Sequence, residues 1–309
     1  MSTTKYFTLS VKQRLVITSL FYGIIYVGVG GIMKIAIISD IHGNLEALKS
    51  VFKDIESKNI NKIFCLGDII AKGSHPKECV DLIREKCEVV LKGNCDEYFT
   101  SNIDLSNKTA QEIERIKWNK SKLDDESISY LVNLPFCYEF YMSGRLIRLV
   151  HAHPEKIDKF AGNIDSINNI YDLVLPSSNT ISDEKADVLI YGHIHTPYVQ
   201  KMYNRYIINT GSVGNAIDVF RNPSKDGNVK NTTVANYLVL SGNLDSINID
   251  ETFSFELVSV PYDIEREINN SEDNIELYSY SEELRSGMYR DMEKIYNSFA
   301  SRGIKKEDI

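Results

Sequence analysis

Hydrophobic residues along the chain switch between two periods, and each switch marks an element. Residues 35–39 form a β-branched run after Lys34, the pattern of a strand covered on both faces. Gly43 and Asn44 then open a helix whose Leu45, Leu48, Phe52 and Ile55 recur at helical spacing. The signals repeat with a strand over 62–66, a helix over 75–86 with Pro76 in its first turn, and a strand over 89–91. Strand, helix, strand, helix, strand reads as βαβ units and a parallel sheet. Two polar helices follow over 108–120 and 124–132, with Asp124 or Asp125 as N-cap and Trp118 packing this excursion onto the core. A hairpin turning at Ser143-Gly144 joins strands over 136–142 and 145–150, and 164–173 reads as helix. Further strands are predicted over 187–191, 198–202, 206–208, 236–240 and 253–260, with a turn-rich bend over 242–250. So many strands in the second half predict a second sheet packed face to face on the first. A surface helix over 281–299 carries Leu284, Met288, Met292 and Tyr296 on one stripe.

Residues 15–33 carry no charge and follow Lys5, Lys12 and Arg14, the pattern of a signal-anchor. Gly23, Gly28, Gly30 and Gly31 weaken that helix, no small-residue cleavage site follows, and the first core strand starts without a linker. The segment is a membrane anchor, upstream sequence ahead of a start at Met33, or an ordered extension. The expected location is cytoplasmic, with membrane attachment only if 15–33 is a real anchor. The expected units are 1–32, a main domain over 33–263, and a charged helical tail over 264–309 that packs on the core or on a second copy of the chain. The composition, 43% hydrophobic and 25% charged over 309 residues, is that of a globular protein. A net charge of −8 excludes a nucleic-acid groove built on bulk basicity. A phosphate substrate would need local attraction, which bound cations supply. Five cysteines (Cys65, Cys79, Cys87, Cys95 and Cys137) show no CxxC or disulfide-scaffold spacing, which fits buried thiols in a reducing compartment.

Five of the six histidines fall in three clusters at the ends of apolar runs: His42 in Ser39-Asp-Ile-His-Gly-Asn44, His151 and His153 in Leu149-Val-His-Ala-His-Pro154, and His193 and His195 in Tyr191-Gly-His-Ile-His195. Leu66-Gly-Asp-Ile69 and Lys92-Gly-Asn-Cys-Asp96 end two other strands. All five motifs therefore stand at strand carboxyl ends, where open α/β sheets hold ligands. Asp40 and His42 are two apart, so extended backbone sends both side chains to one side. Asp68 is placed to bridge two ions, and the Asn94 amide oxygen is a hard neutral donor suited to Mn²⁺ or Mg²⁺. Each motif alone also has a plain reading: Asp40 as a helix cap, Asn94 as a turn residue, His153 as a surface residue or a partner of a ligand. Gly192-His-Ile-His195 is the strongest, because buried imidazoles require specific partners. His75, in the loop before Pro76, reads as structural.

Asp-x-His, Gly-Asp, Gly-Asn, His and Gly-His-x-His, in this order, resemble the calcineurin-like metallophosphoesterase superfamily from residue 33 to about residue 263. The resemblance implies an α/β fold, a four-layer α/β/β/α sandwich of two mixed sheets. It implies two divalent metal ions, Mn²⁺ first, with Mg²⁺, Fe, Zn²⁺ or Ni²⁺ as alternatives. Asp40, His42, Asp68 and His195 would bind one; Asp68, Asn94, His151 and His193 the other. The expected reaction is attack on a phosphate ester by a hydroxide bridging the two ions, with Asp96, His153 or water assisting proton transfer. Asn209-Thr-Gly-Ser212 stands where the family has Asn-Pro-Gly-Ser, and its backbone donors would line the site. Protein phosphatases of the superfamily carry Gly-Asp-x-x-Asp-Arg-Gly, but here Ala71 and Lys72 replace the Asp and the phosphate-clamping Arg. Many members carry Gly-Asn-His-Asp/Glu, but here Cys95 replaces the His, and a thiol is a poor general acid at neutral pH. Gly-Asn-Cys-Asp resembles the YfcE-like phosphodiesterase branch. The partner expected is a small-molecule or nucleotide phosphoester. The alternatives are a phosphomonoesterase or phosphoprotein phosphatase, and a non-catalytic binding scaffold on the same fold.

Overall fold

The computed structural model describes residues 31–99, 106, 108–162, 166–216, 234–272, 277–287 and 300. Strand β1 (Met33–Ile38) sets the layering. Successive side chains of a strand point to opposite faces. Accordingly Ile35 and Ile37 enter one apolar cluster, and Ala36 and Ile38 another. On the second side lie α1 (Leu45–Ser57) and α2 (Pro76–Lys86), which contribute Leu48, Val51, Ile55, Val80 and Ile83. Asn44 caps α1 by accepting from the Ala47 N–H at 2.9 Å.

β2 (Lys62–Cys65) and β3 (Val89–Val90) run parallel to β1. β9 (Ala235–Gly242) and β10 (Ser254–Val260) add antiparallel on the other side, giving the order β10-β9-β1-β2-β3. This corrects the expectation that 236–240 and 253–260 belong to the second sheet. β9 is apolar on both faces, with Tyr237 and Val239 toward the helices and Leu238 and Leu240 toward the other sheet. It therefore needs cover on both sides, and the place beside β1 supplies it. Periodicity fixes which face a residue occupies and leaves the neighbouring strand open.

The second sheet holds β4 (Cys137–Met142), β5 (Arg145–Val150), β6 (Val188–Tyr191), β7 (Tyr198–Met202) and β8 (Arg205–Asn209), in the order β4-β5-β6-β8-β7. Phe140, Ile147, Val188, Ile190 and Ile208 meet Ile35, Ile37 and Leu238 between the sheets. The outer face packs Val150, Leu189, Tyr191 and Ile207 under Ile170 of α5 (Ile167–Asp172) and the following Leu173 and Val174. The layers are therefore α/β/β/α, as expected. Arg148 is fully buried on that outer face, pairs with Glu139 at 2.6 Å and donates to the Val174, Leu175, Ser182 and Glu184 carbonyls. One side chain thus pins the loop before β6 to the sheet.

The polar excursion is helical, as α3 (Ala110–Ser121), started by a Thr109–Glu112 capping box, and α4 (Asp125–Val132), capped by Asp124. Ile116 and Leu131 anchor it in the helix-side core. Trp118 is only half-buried, beneath the Lys122 ammonium at 5.3 Å, so the expected anchor is displaced by its neighbour. The tail begins with α6 (Ile264–Glu272) and α7 (Tyr278–Ser286). α7 ends at Gly287, whose positive φ of 65° closes the helix. The expected surface helix over 281–299 is corrected in part. Tyr280 and Leu284 are buried with Ile268, and the Tyr280 hydroxyl donates to the Gly214 carbonyl at 2.6 Å. Residues 288–299, and the apolar stretch up to residue 30, lie outside the described residues. Among the described residues no helix is long and apolar enough to cross a membrane.

Candidate metal centre

Where β1, β2, β3, β5 and β6 end, the chain turns sharply, and five of the seven expected ligands occupy the left-handed backbone region. Their φ values are 55° at Asp40, 52° at His42, 52° at Asp68, 65° at His193 and 63° at His195. Asp and His tolerate this region better than most residues, and such conformations concentrate at functional sites. Close backbone approach also demands glycine. A Cβ on Gly192 would strike Ser39 Oγ and Asp40 Oδ2, and one on Gly93 would strike the Asp68 backbone and carboxylate.

These turns bring the donors together in a buried cluster. The His195 and His42 Nε2 atoms lie 3.0 Å apart, and 3.2 and 3.8 Å from Asp40 Oδ1. His42 Nε2 is also 3.8 Å from Asp68 Oδ2. On the other side of Asp68, His151 Nε2 lies 3.4 Å from Oδ1 and 3.1 Å from Asn94 Oδ1. The His193 ring meets that of His151 edge to face at 5.3 Å. All seven side chains therefore converge, with Asp68 central. Cys95 Sγ adds a soft atom beside His42 and Asp68.

Hydrogen bonds fix what these atoms offer. The Nδ1 atoms of His42, His151 and His195 face the Ile70, Leu66 and Asn215 carbonyls at 3.2, 3.0 and 2.7 Å. A carbonyl only accepts, so each Nδ1 carries a proton, and in the neutral ring the inward Nε2 is the atom left to bind a cation. Nε2 atoms 3.0 Å apart, and a third against two oxygens, call for a positive charge between them, a proton or a metal ion. Asp40 Oδ1 is buried without a hydrogen-bond donor. These observations fit divalent cations, because hard carboxylate and amide oxygens and imidazole nitrogens meet at one centre. Burial opposes ionisation of Asp40, but His195, His151 and His42 hold its carboxyl well below the usual range. Burial raises Asp68, lowers His42, and pushes His193 down to about 3 with help from His151. His151 overcomes its burial and moves up because Asp68, Asp40 and Asp96 surround it.

Asp96 and His153, expected to assist proton transfer, stand outside the converging set. The Asp96 carboxylate accepts from the Asp68, Ile69 and Gly93 N–H groups at 2.8, 3.0 and 2.9 Å. It clips the loops after β2 and β3 together and so positions Asp68 and Asn94. Burial, and then the Asp68 charge, push its pKa up to about 7. His153 Nδ1 accepts from the Glu155 N–H at 3.1 Å, and burial, with Lys159, pushes the ring down to about 4. Two backbone donors of Asn209-Thr-Gly-Ser212 are directed elsewhere, the Thr210 N–H to the Tyr191 carbonyl at 3.0 Å and the Gly211 N–H to Asn209 Oδ1 at 2.9 Å. The Ser212 hydroxyl and the Gly214 N–H donate to the Asp40 carbonyl at 2.7 and 2.9 Å, bracing the end of β1. Sequence reading missed a link to the tail. Glu283 accepts from Lys72 at 3.0 Å and from the Asn215 amide at 3.1 Å, and Asn215 carries the carbonyl that orients His195. No local pattern announces a contact between residues 72, 215 and 283. His75, read as structural, meets the Ser74 hydroxyl at the start of α2.

Carboxylates, imidazoles and an amide oxygen converging at the strand ends of two facing sheets define a candidate metal-binding protein of the α/β/β/α class. Residues 33–225 match the calcineurin-like phosphoesterase superfamily domain, and the chain belongs to that superfamily. It is 31% identical over 247 residues, 75% of this chain and 89% of the relative, to the uncharacterized protein MJ0912 of Methanocaldococcus jannaschii. It is 24% identical over 216 residues to phosphodiesterase YfcE of Escherichia coli, covering 66% of this chain and 90% of YfcE. Among solved structures it resembles the hypothetical protein PH1004 of Pyrococcus horikoshii, with a TM-score of 0.64 at 16% identity over 82% of this chain and 98% of that one. A metallophosphoesterase of Sphaerobacter thermophilus gives 0.60 at 22% identity over 83% and 99%.

Proposed function

We propose that the chain is a phosphodiesterase dependent on a pair of divalent cations, Mn²⁺ first. The reading rests on one observation: inward-facing Nε2 atoms converge with the Asp68 carboxylate and with Asp40 Oδ1, an oxygen that has no hydrogen-bond donor. Asp40, His42, Asp68 and His195 would hold one cation, and Asp68, Asn94, His151 and His193 the other. Cations bound there would supply charge neutralisation at the phosphoryl oxygens and an acidified water. The chain's own residues position and exclude. The Ile70, Leu66 and Asn215 carbonyls lock the imidazoles in their tautomers, and Asp96 holds the Asp68 loop against the Asn94 loop.

Two residues favour a diester over a monoester. A monoester dianion profits from a free cationic clamp, but Lys72 is paired with the buried Glu283. At position 95 the thiol is buried and its pKa is pushed well up, so no imidazole is on hand to protonate a poor leaving group. With Mn²⁺, bis(p-nitrophenyl) phosphate should be hydrolysed faster than p-nitrophenyl phosphate, and chelation should stop it. Asp68→Ala should abolish turnover with the circular dichroism spectrum intact. A preference for the monoester would reverse the assignment, and normal turnover in Asp68→Ala would remove the metal reading.

A further inference from the structure

Three carbonyls orient imidazoles of the metal centre, and they are held in two different ways. The Leu66 carbonyl, which faces His151, directly follows β2, and the Leu66 N–H donates to the Ile38 carbonyl of β1 at 2.9 Å. The Ile70 and Asn215 carbonyls, which face His42 and His195, lie in loops beyond the strand ends. Helices α6 and α7 grip both loops. Glu283 of α7 accepts from Lys72 at 3.0 Å and from the Asn215 amide at 3.1 Å. The Tyr280 hydroxyl, also of α7, donates to the Gly214 carbonyl at 2.6 Å and accepts from the Asn44 amide at 2.8 Å. Glu267 of α6 accepts from the Ser74 N–H at 3.3 Å and from the Ser74 hydroxyl at 3.2 Å. The loop it holds closes on the His42 turn, because the Gly73 N–H donates to the His42 carbonyl at 2.5 Å and the His75 N–H to the Gly43 carbonyl at 3.1 Å.

These anchors are polar and buried: Glu267 and Tyr280 fully, Glu283 nearly so. Among the described residues, the apolar side chains of the two helices, Ile268, Tyr280 and Leu284 with Ile264, form a cluster apart from those that flank and join the sheets. A helix pair that only covered core would insert apolar side chains. This pair reaches the loops with a hydroxyl and two carboxylates, and buried directional bonds of that kind specify one arrangement. The remaining ligands have other supports. Asp96 accepts from the Gly93 N–H and holds the Asn94 loop, the Leu66 carbonyl orients His151, and the His193 N–H donates to Asp40 Oδ2.

We propose that α6 and α7 are a clasp that assembles one of the two cation positions, that of Asp40, His42, Asp68 and His195, with Glu267, Tyr280 and Glu283 as its positioning residues. The proposal rests on the two-cation reading given above. The position of Asp68, Asn94, His151 and His193 takes its geometry from the strand ends and from Asp96, so it survives loosening of the tail. Opening the clasp therefore turns a two-ion centre into a one-ion centre. A tail that merely stabilised the fold would weaken both ions alike or neither.

Mn²⁺ titration calorimetry and electron paramagnetic resonance on the full chain test this without turnover. The wild-type chain should take up two Mn²⁺ ions, and ions about 3.5–4 Å apart should give an exchange-broadened spectrum. In the double variant Tyr280→Phe/Glu283→Ala, one ion should keep its affinity while the other binds about 10–100-fold more weakly. With only the tight position filled, the spectrum should show the resolved hyperfine lines of an isolated ion. Adding His151→Ala to the double variant should remove that ion, and adding His195→Ala should leave it. Glu283→Gln, which keeps an acceptor for the Asn215 amide, should retain more of the weakened ion than Glu283→Ala. Tyr280→Phe alone, which keeps the ring in the apolar cluster of the tail, should show the same selective loss in smaller measure, so the test survives if the double variant fails to fold. Arg148→Met, on the outer face of the second sheet, lowers stability away from the clasp and should leave both ions in place. Equal weakening of both ions, two unchanged ions, or the same selective loss in Arg148→Met would overturn the clasp while the two-cation reading stands. Uptake of a single ion by the wild-type chain would overturn both.

Discussion

Glu283→Ala tests whether the C-terminal helix supports the metal centre. The Glu283 carboxylate is 2% exposed and pairs at 3.0 Å with Lys72, whose side chain is 12% exposed. Removing one member of a buried pair strands the other, at a cost of about 3–5 kcal/mol. Lys72 keeps slight access to water, so the lower end applies, about 3 kcal/mol. At about 2 °C per kcal/mol for a domain of this size, the melting temperature should fall by about 6 °C. A second effect concerns metal. The Lys72 charge already acts against protonation of His42, and without Glu283 it would repel a cation there undiminished. Asn215 also loses the acceptor for its amide, so the carbonyl that orients His195 is less firmly held. Loss of such outer support typically costs about 10–100-fold in metal affinity. Thermal unfolding and Mn²⁺ titration calorimetry measure the two effects separately. Adding Lys72→Met to Glu283→Ala removes the stranded charge and should restore most of the stability, with less recovery of metal affinity. A melting temperature within about 1 °C of wild type together with unchanged Mn²⁺ affinity would refute the link.

Three further expectations concern particular groups. Burial pushes Glu267 up to about 7 from an unfolded value near 4.5, so the folded state binds the extra proton between these values. Its contribution, at most about 3 kcal/mol, is complete below pH 4.5 and is lost as pH rises through about 7. Hydrogen-exchange protection factors in α6, taken relative to the intrinsic base-catalysed rate, should therefore fall from about pH 5 to about pH 8, and Glu267→Gln should flatten that fall. Arg148→Met should lower the unfolding free energy in urea by about 3–5 kcal/mol, because it leaves Glu139 and four loop carbonyls without their buried donor; a loss below about 1 kcal/mol would contradict the pinning role. Mn²⁺ at about 100 times its dissociation constant should stabilise the chain by about 2.7 kcal/mol, read as a rise in melting temperature that Asp40→Asn abolishes.

How far the sequence carried depended on whether the deciding interaction was local. The burial of β1 on both faces was legible because Ile35, Ala36, Ile37 and Ile38 leave neither face polar. The place of β9 in the first sheet was not, because Tyr237, Val239, Leu238 and Leu240 declare only that both faces need cover. The seven converging side chains were legible as motifs, since each occupies a strand end together with its glycine. Asp96 and His153 share those motifs, yet hydrogen bonds tie one to three backbone amides and the other to the Glu155 N–H. Trp118 was chosen for its size, but helix phase places Ile116 on the buried side of α3. The Glu283–Lys72 contact spans most of the domain and leaves no trace in either local sequence.

Backbone conformation explains why the donor set is rigid. Left-handed φ costs a non-glycine residue roughly 1–2 kcal/mol, so five such ligands together store an amount comparable with the net stability of a domain. That strain persists only because the surroundings over-determine it. Each strained turn is tied from outside: the Asp40 N–H to the Gly67 carbonyl at 3.0 Å, the His42 N–H to the Asp68 carbonyl at 2.9 Å, and the His193 N–H to Asp40 Oδ2 at 2.9 Å. The turns after β1, β2 and β6 therefore brace one another, and Asp40 serves the bracing with Oδ2 while Oδ1 remains turned toward the imidazoles. A substitution at Asp40 consequently acts on two levels, removing an inward oxygen and releasing the β6 turn that aims His193 and His195. Asp68 has the same double character, since its Oδ1 accepts the Cys95 N–H at 2.7 Å and faces His151. The carboxylates that would bind cations are thus also the struts that hold the other ligands in place.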